Sequence, residues 1–131
     1  MTDTTTQTTD LTALVDTYLE AWNERDADRR AELVARAWTE EGQLADPPLT
    51  GAGHAGISDV AAAMHQHYPD HRFERTSGVD EHHGFIRFGW NLVGPGDEVA
   101  TSGIDVGVVG EDGRLARIVG FFGDLPAKEA A

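Results

Sequence analysis

The chain contains no cysteine, and only 10 of its 131 residues are Lys or Arg, against 23 Asp or Glu. The first absence excludes disulfides, thiolate nucleophiles and cysteine-based zinc or iron–sulfur sites. The shortage of basic residues gives a formal net charge of −13. Such a chain is repelled by nucleic acid phosphates and by anionic membrane surfaces, so we expect neither as a partner.

Long apolar runs are also absent, since no segment approaches the roughly 18 residues of a membrane span. The N-terminal residues MTDTTTQTTD lack the basic and apolar regions of a signal peptide, so a cytoplasmic location is the default expectation. A length of 131 residues is typical of one domain. We predict a disordered tail over 1–9, a folded domain over 10–125 and a C-terminal tail over 126–131.

Two helices are predicted at the start of the folded domain. Apolar residues recur at spacings of three and four from Leu11 to Trp22, and Asp10 is a plausible N-cap. Asp26 is expected to cap a second helix, whose apolar face ends with Trp38 and which stops at Gly42.

A short strand and a third helix follow. Because Pro47 favours extended geometry in the residue before it, Asp46 is expected at the end of the strand. The third helix is predicted from about Ala55 to Tyr68, where Pro69 closes it. Every later segment has strand character, with short turns that imply antiparallel neighbours. The predicted fold class is therefore α+β, with three N-terminal helices packed on a curved, mostly antiparallel sheet.

An aspartate interrupts the apolar pattern of the strand TSGIDVGVVG. Side chains alternate along a strand, so Gly103, Asp105 and Gly107 share one face. Glycines fill little space, which predicts a pocket beside Asp105; burial there would raise the pKa of the carboxyl and let the neutral acid stabilise an oxyanion. In the alternative interpretation, the glycines mark bends in the sheet and Asp105 faces solvent at an edge.

The predicted pocket is apolar and suits a small apolar molecule. The candidate substrate-binding residues, which are equally credible as plain core, are Trp38, Met64, Ile86, Phe88, Trp90, Ile118 and Phe122. Both faces of the last strand are substantially apolar, because Ile118 and Phe122 lie opposite Leu115 and Phe121. Since both faces need cover, the sequence predicts a homodimer.

Histidines do not form a convincing metal site in the sequence. His65 and His67 lie two residues apart on a predicted helix and point in different directions, so with His71 they are interpreted as surface residues. His82 and His83 follow a turn, and a solvated position is favoured over one at the mouth of the pocket. No metal and no cofactor is predicted.

Three residues in their local contexts carry a resemblance to a known family. Tyr18 in YLEAWNERD, Asp46 in LADPPLTG and Asp105 in GIDVGVVGEDGRL resemble the functional positions of ketosteroid isomerases, and Gly123 in GFFG resembles their last strand. These enzymes belong to the nuclear transport factor 2-like and SnoaL-like superfamily. The resemblance implies a cone-shaped α+β barrel without cofactor, in which Asp46 shuttles a proton while Tyr18 and Asp105 hold an enolate oxygen.

The sequence also departs from that pattern. Ala61 stands where the isomerases place a supporting tyrosine, and Gly103 stands where an epoxide hydrolase of this superfamily would have an arginine. Three functions therefore remain open. The first is isomerisation of a small apolar carbonyl compound by Asp46, Tyr18 and Asp105. The second is a SnoaL-like cyclase that uses Asp105 as acid and base, and the third is a non-catalytic dimeric ligand-binding module.

Overall fold

The computed structural model describes the backbone of residues 4–130 and the side chains of residues 10–130. The helices are α1 (Thr4–Asn23), α2 (Ala27–Ala37) and α3 (Gly53–His67). The strands are β1 (Trp38–Asp46), β2 (Leu49–Ala52), β3 (Arg72–Arg75), β4 (Asp80–His82), β5 (Phe85–Val93), β6 (Val99–Val109) and β7 (Leu115–Phe122). Within these described ranges, no helix is both long and apolar enough to cross a membrane.

The strands form one 7-stranded sheet in the order β2-β1-β7-β6-β5-β3, with β4 paired to β5. All neighbours are antiparallel except β1 and β7, which run parallel. The helices pack against one face of this sheet, where side chains of both layers form a single core. The predicted α+β class is confirmed, and the architecture matches the cone-shaped barrel that the resemblance implied.

Helix α1 begins at Thr4, earlier than the predicted start near Asp10, so Asp10 lies inside the helix and is not its N-cap. The predicted disordered tail therefore overlaps helix over residues 4–9, while residues 1–3 lie outside the described residues. Once a helix exists, each added residue contributes a hydrogen bond without a new nucleation cost, whereas the sequence pattern detects only residues that have something to bury. The second cap is confirmed, since the Asp26 carboxylate accepts a 2.8 Å hydrogen bond from the backbone N–H of Arg29.

The predicted end of the second helix is wrong. Helix α2 ends at Ala37, and Trp38 is the first residue of β1, although its side chain is fully buried as expected. Gly42 lies inside β1 and stops no helix. A Cβ atom on Gly42 would lie 2.5 Å from Cε3 of Trp38, so this glycine makes room for the indole ring.

Strand β7 does not follow simple alternation. Leu115 and Ile118 are both fully buried, although alternation places them on opposite faces. The register of β6 and β7 shifts between Val108 and Val109, which identifies a bulge that turns the start of β7. Beyond the bulge Gly120 faces the interior directly opposite Asp105, and this pairing places it at the site described below.

Candidate functional site

Asp105 is a buried carboxyl group with two hydrogen-bond donors. Its side chain faces the interior from the middle of β6 and is only 4% exposed. The hydroxyl of Tyr18, on α1, donates to Oδ2 at 2.7 Å, and the indole N–H of Trp90, on β5, donates to Oδ1 at 3.0 Å. The carboxyl is therefore buried and hydrogen-bonded, as burial of an ionisable group requires.

The glycines beside Asp105 do not leave the hollow that their small size predicted. A Cβ atom on Gly103 would collide with the ring of Trp90, the residue that pairs with Gly103 across the sheet. A Cβ atom on Gly107 would lie 2.6 Å from Cδ1 of Ile118. The missing side chains are thus compensated by large neighbours, and the open space of the site lies elsewhere.

Asp46 ends β1, where it pairs with Leu49 of β2 across the cis Pro47–Pro48 peptide. Its Oδ1 atom is buried and accepts no hydrogen bond from any part of the chain that the structure describes. The point where a Cβ atom of Gly120 would lie is 2.5 Å from this oxygen and 3.0 Å from Oδ1 of Asp105. The two carboxyl groups therefore meet over one strand residue, and the structure brings them together with Tyr18.

Burial sets the electrostatics of these groups. It raises the pKa of Asp46 from 3.8 to about 6. The pKa of Asp105 is raised from 3.8 to about 7, first by burial and also by the charge of Asp46, against the opposing hydrogen bonds from Tyr18 and Trp90. The pKa of Tyr18 lies well above its ordinary value, because of burial and then the charge of Asp105. At neutral pH Asp46 is therefore mostly ionised, whereas Asp105 lies close to the midpoint of its titration.

A cavity of about 400 Å³ opens beside Asp46, between the helices and the sheet. Its lining is mostly apolar and aromatic, with no Lys or Arg among the described residues. The lining consists of Trp22, Asp46, Pro47, Pro48, Leu49, Met64, His67, Tyr68, Phe73, Trp90, Leu92, Thr101 and Phe122. This volume falls in the range that suits a small organic ligand.

A second space, of about 10 Å³, adjoins this cavity and is bordered by Tyr18 and Asp105; we call it the inner void. Four residues border both the cavity and the inner void, and we call them the partition: Trp22, Asp46, Phe73 and Trp90. Of the three acid–base candidates, only Asp46 is reached from the cavity directly. Tyr18 and Asp105 lie behind the partition.

The predicted pocket walls divide into two groups. Met64, Trp90 and Phe122 line the cavity. The other four, Trp38, Ile86, Phe88 and Ile118, do not line it, and each is at most 2% exposed. They belong to the core because neighbours on both layers cover them; Tyr18, for example, contacts Trp38 edge-on at a ring distance of 5.8 Å.

Two residues of the partition were not singled out from the sequence. Trp22 lies one helical turn after Tyr18 on the same stripe, and that spacing was the available signal. Phe73, on β3, is held in place by Asn23, whose side chain donates to its C=O at 2.9 Å and accepts from its N–H at 2.7 Å. No local sequence pattern predicts this contact between Asn23 and Phe73, because the two residues are 50 positions apart.

The histidines take different positions. His65 is half-buried, with Nε2 2.6 Å from the backbone oxygen of Trp22, whereas His67 lies exposed at the mouth of the cavity. His82 and His83 are exposed, with their Nδ1 atoms 3.0 Å apart. In the part of the chain that the structure describes, no three His, Asp or Glu side chains are grouped as metal ligands.

Comparisons with known proteins agree with this architecture. Residues 15–118 match the profile of the SnoaL-like domain. The crystal structure of a candidate isomerase of the SnoaL-like family from Agrobacterium tumefaciens superposes with a TM-score of 0.84 at 37% identity, covering 88% of this chain and 99% of the other. A comparison with curated protein sequences gave no significant match.

More distant structures share the fold. A candidate polyketide cyclase from Sinorhizobium meliloti superposes with a TM-score of 0.67 at 18% identity, over 87% of this chain and 98% of the other. A protein with a ketosteroid isomerase-like fold from Catenulispora acidiphila gives a TM-score of 0.66 at 10% identity, over 82% and 83% of the two chains. The chain belongs to the SnoaL-like family.

Proposed function

We propose that this protein is a cofactor-free enzyme that isomerises a small apolar carbonyl compound by acid–base chemistry, with Asp46 as the base. One observation carries the proposal: an unpartnered, buried oxygen of Asp46 lies at the wall of an apolar cavity. Because its pKa is raised to about 6, the carboxyl group of Asp46 is mostly ionised at neutral pH, and its carboxylate is a stronger base than that of an exposed aspartate.

In the proposed reaction, Asp46 removes a proton from a carbon next to the carbonyl group, and the C–H electrons form an enolate. The same proton is then returned to another carbon of the conjugated system, so the double bond moves and no atom is gained or lost. The enolate oxygen needs donors, and the Tyr18 hydroxyl with the protonated Asp105 would supply them. Their position behind the partition requires one of its rings, such as that of Trp90, to move when substrate binds.

A SnoaL-like cyclase in which Asp105 is the acid and base is the variant reaction within the same family. Its weakness is access, because Asp105 does not line the cavity whereas Asp46 does. The two reactions assign the essential proton transfer to different acids. Comparing the activities of Asp46→Asn and Asp105→Asn therefore distinguishes the two reactions.

A non-catalytic binding module is the second candidate, and one observation favours it. Both oxygens of Asp105 already accept hydrogen bonds from within the protein, so neither Tyr18 nor Asp105 donates into the cavity. Ala61, which is buried, supplies no hydroxyl to redirect Tyr18. In this function the cavity holds an apolar metabolite and the acids serve only to order the core.

We further propose that the protein is a homodimer whose subunits meet through the outer face of the sheet. Ile104 and Phe121, directly opposite each other on β6 and β7, are 49% and 59% exposed. Val106 and Val119 form the next pair on the same face, and Phe85 extends the patch onto β5. A second copy of this apolar surface would remove the whole patch from water.

The test begins with a thermal-shift screen of small unsaturated ketones, because a ligand that binds only the folded state raises the melting temperature. Compounds that bind are then assayed for double-bond migration. Asp46→Asn is expected to lower kcat by a factor of about 10² to 10⁴, the usual contribution of general acid–base catalysis. Asp59→Asn, on the exposed surface of α3, is the control and should leave kcat unchanged.

Each function gives a different result. Full activity in Asp46→Asn would refute the role of Asp46. Loss of activity in Asp105→Asn combined with a mild effect of Asp46→Asn would assign the reaction to the cyclase type. Ligand binding without any conversion would identify the binding module.

A further inference from the structure

Gly120 has a backbone that any residue could adopt, yet a side chain has no room there. The three atoms nearest to the position of its missing Cβ atom are Oδ1 of Asp46 at 2.5 Å, Oδ1 of Asp105 at 3.0 Å and Cγ of Asp46 at 3.4 Å. All three belong to the carboxyl groups of Asp46 and Asp105. Backbone strain therefore does not explain this glycine, whereas the acids do.

We propose that Gly120 is a positioning residue of the site, whose missing side chain lets the carboxyl groups of Asp46 and Asp105 occupy one recess and share one proton. The step involves only a proton, which stays on one carboxyl group while the other is ionised. The position of the missing Cβ atom lies within 3.0 Å of an oxygen of each group, so a methyl group there would displace at least one of them. The unpartnered Oδ1 atom of Asp46 faces this recess.

The surroundings favour one shared proton over two charges. The titratable side chains that face this region are Tyr18 from α1, His67 and Tyr68 from α3, Asp46 from β1 and Asp105 from β6. No Lys or Arg lines the cavity or the inner void among the described residues, so no fixed cation is present to stabilise two carboxylates. Two like charges in so confined and apolar a place repel strongly, which separates the titration into two steps.

For the proposed function, on which this consequence rests, a shared proton divides the roles of the two acids. The ionised member is free to accept a proton from substrate while the neutral member can donate a hydrogen bond to its oxygen. Gly120 would then determine how sharply the two roles are separated, without touching substrate itself.

The titration is measured by NMR on protein carrying ¹³C at the aspartate carboxyl carbons, from about pH 3 to about pH 9, a range that brackets both steps. In the wild-type protein the Asp46 and Asp105 signals should each respond to both steps. In Asp46→Asn, the Asp105 signal should show a single step at lower pH, because the neighbouring charge is gone. An unchanged Asp105 titration in this variant would overturn the shared proton.

Gly120→Ala should force the carboxyl groups apart, so the two steps move closer together and each signal follows mainly one of them. Gly78→Ala is the matched control, since a Cβ atom there meets nothing within 4 Å, and it should leave both titrations unchanged. If Gly120→Ala titrates like the wild type, the positioning role is refuted.

A double-mutant cycle keeps the test valid if Gly120→Ala is poorly folded. Gly120→Ala should lower the urea midpoint of the wild type more than that of Asp46→Ala, in which the closest atom has been removed. Equal losses in both backgrounds would refute the link between Gly120 and Asp46. If the two acids titrate as a coupled pair but the protein turns over no substrate, this inference holds and the proposed isomerisation is rejected. If the protein isomerises its substrate but the two acids titrate independently, the isomerisation holds and this inference is rejected.

Discussion

The buried carboxyl of Asp105 should make the folded state less stable as the pH rises. Its folded-state pKa of about 7 lies above the value of 3.8 expected in the unfolded chain. A group with a raised folded pKa contributes stability below its unfolded pKa, and this contribution is lost as the pH rises through the folded pKa. We therefore predict that stability falls between about pH 4 and about pH 7, and that replacing Asp105 with Asn removes this part of the fall.

The expected magnitude follows from the titration. Between about pH 5 and pH 6 the folded protein holds nearly one proton more than the unfolded chain at this site, which changes the unfolding free energy by about 1.4 kcal/mol per pH unit. The excess falls to about half a proton at pH 7. The loss is on the order of 2–3 kcal/mol, or roughly 10 °C in melting temperature for a domain of this size. An Asn amide fits the site, because its oxygen can accept from Trp90 while its NH₂ group donates to the Tyr18 oxygen.

Urea unfolding at about pH 5 and at about pH 7 measures this change in the unfolding free energy. The stability of Asp105→Asn relative to the wild type should increase by this amount on going from the lower to the higher pH. Asp59→Asn, which removes an exposed carboxylate from α3, corrects for the general change in net charge and should show no such increase. If the two variants respond to pH equally, Asp105 does not carry a raised pKa in the folded state and the electrostatic argument for the site fails.

Three further predictions concern activity, assembly and the core. The pH profile of kcat/KM should rise through about 6 as Asp46 ionises and fall above about 7 as the acid pair loses its second proton; a flat profile over this range would contradict the roles given to the acids. Ile104→Lys should produce monomers in light scattering while Glu32→Lys, an exposed position on α2, should not. Arg30→Ala should lower the unfolding free energy by about 2–4 kcal/mol in urea, because the buried guanidinium bonds Ser58 and two loop carbonyls; a loss below about 0.5 kcal/mol, as for an ordinary surface change, would refute this.

The fold was largely predictable because it depends on local patterns. The apolar stripe of α1, the cap at Asp26 and the alternation in β5 each predict one element correctly. The error at Trp38 shows the limit of periodicity, because a buried residue after an apolar helix face continues the helical pattern whether or not the chain does. Only the close fit between Trp38 and Gly42 in the folded strand distinguishes the two cases.

The candidate site was predictable as a set of residues but not as a geometry. Alternation put Asp105 on one face with Gly103 and Gly107 but left both an inward and a solvent-facing position open, and the structure shows the inward one. The proline after Asp46 predicted that residue at a strand end, where it lies. The volume argument failed because the side chain that fills the space over Gly103 belongs to Trp90, on a neighbouring strand. The Trp90 ring covers Gly103 because the register of β5 and β6 pairs these two residues, and this register cannot be predicted from the sequence. Alternation does place Gly120 on the same inward face as Ile118, but the sequence does not show that Asp105 lies directly opposite it.

Trp90 has a consequence for how ligand and proton influence each other. Its indole ring belongs to the partition, and its N–H group is one of the two donors that stabilise the negative charge of Asp105. A molecule that pushes the ring aside to reach Tyr18 also removes that donor, which weakens the ionised form of the acid. Occupation of the interior and retention of a proton would then favour each other through one aromatic side chain. Without a ligand, the indole N–H group stays hydrogen-bonded to Asp105 and favours its ionised form, which cannot donate a hydrogen bond.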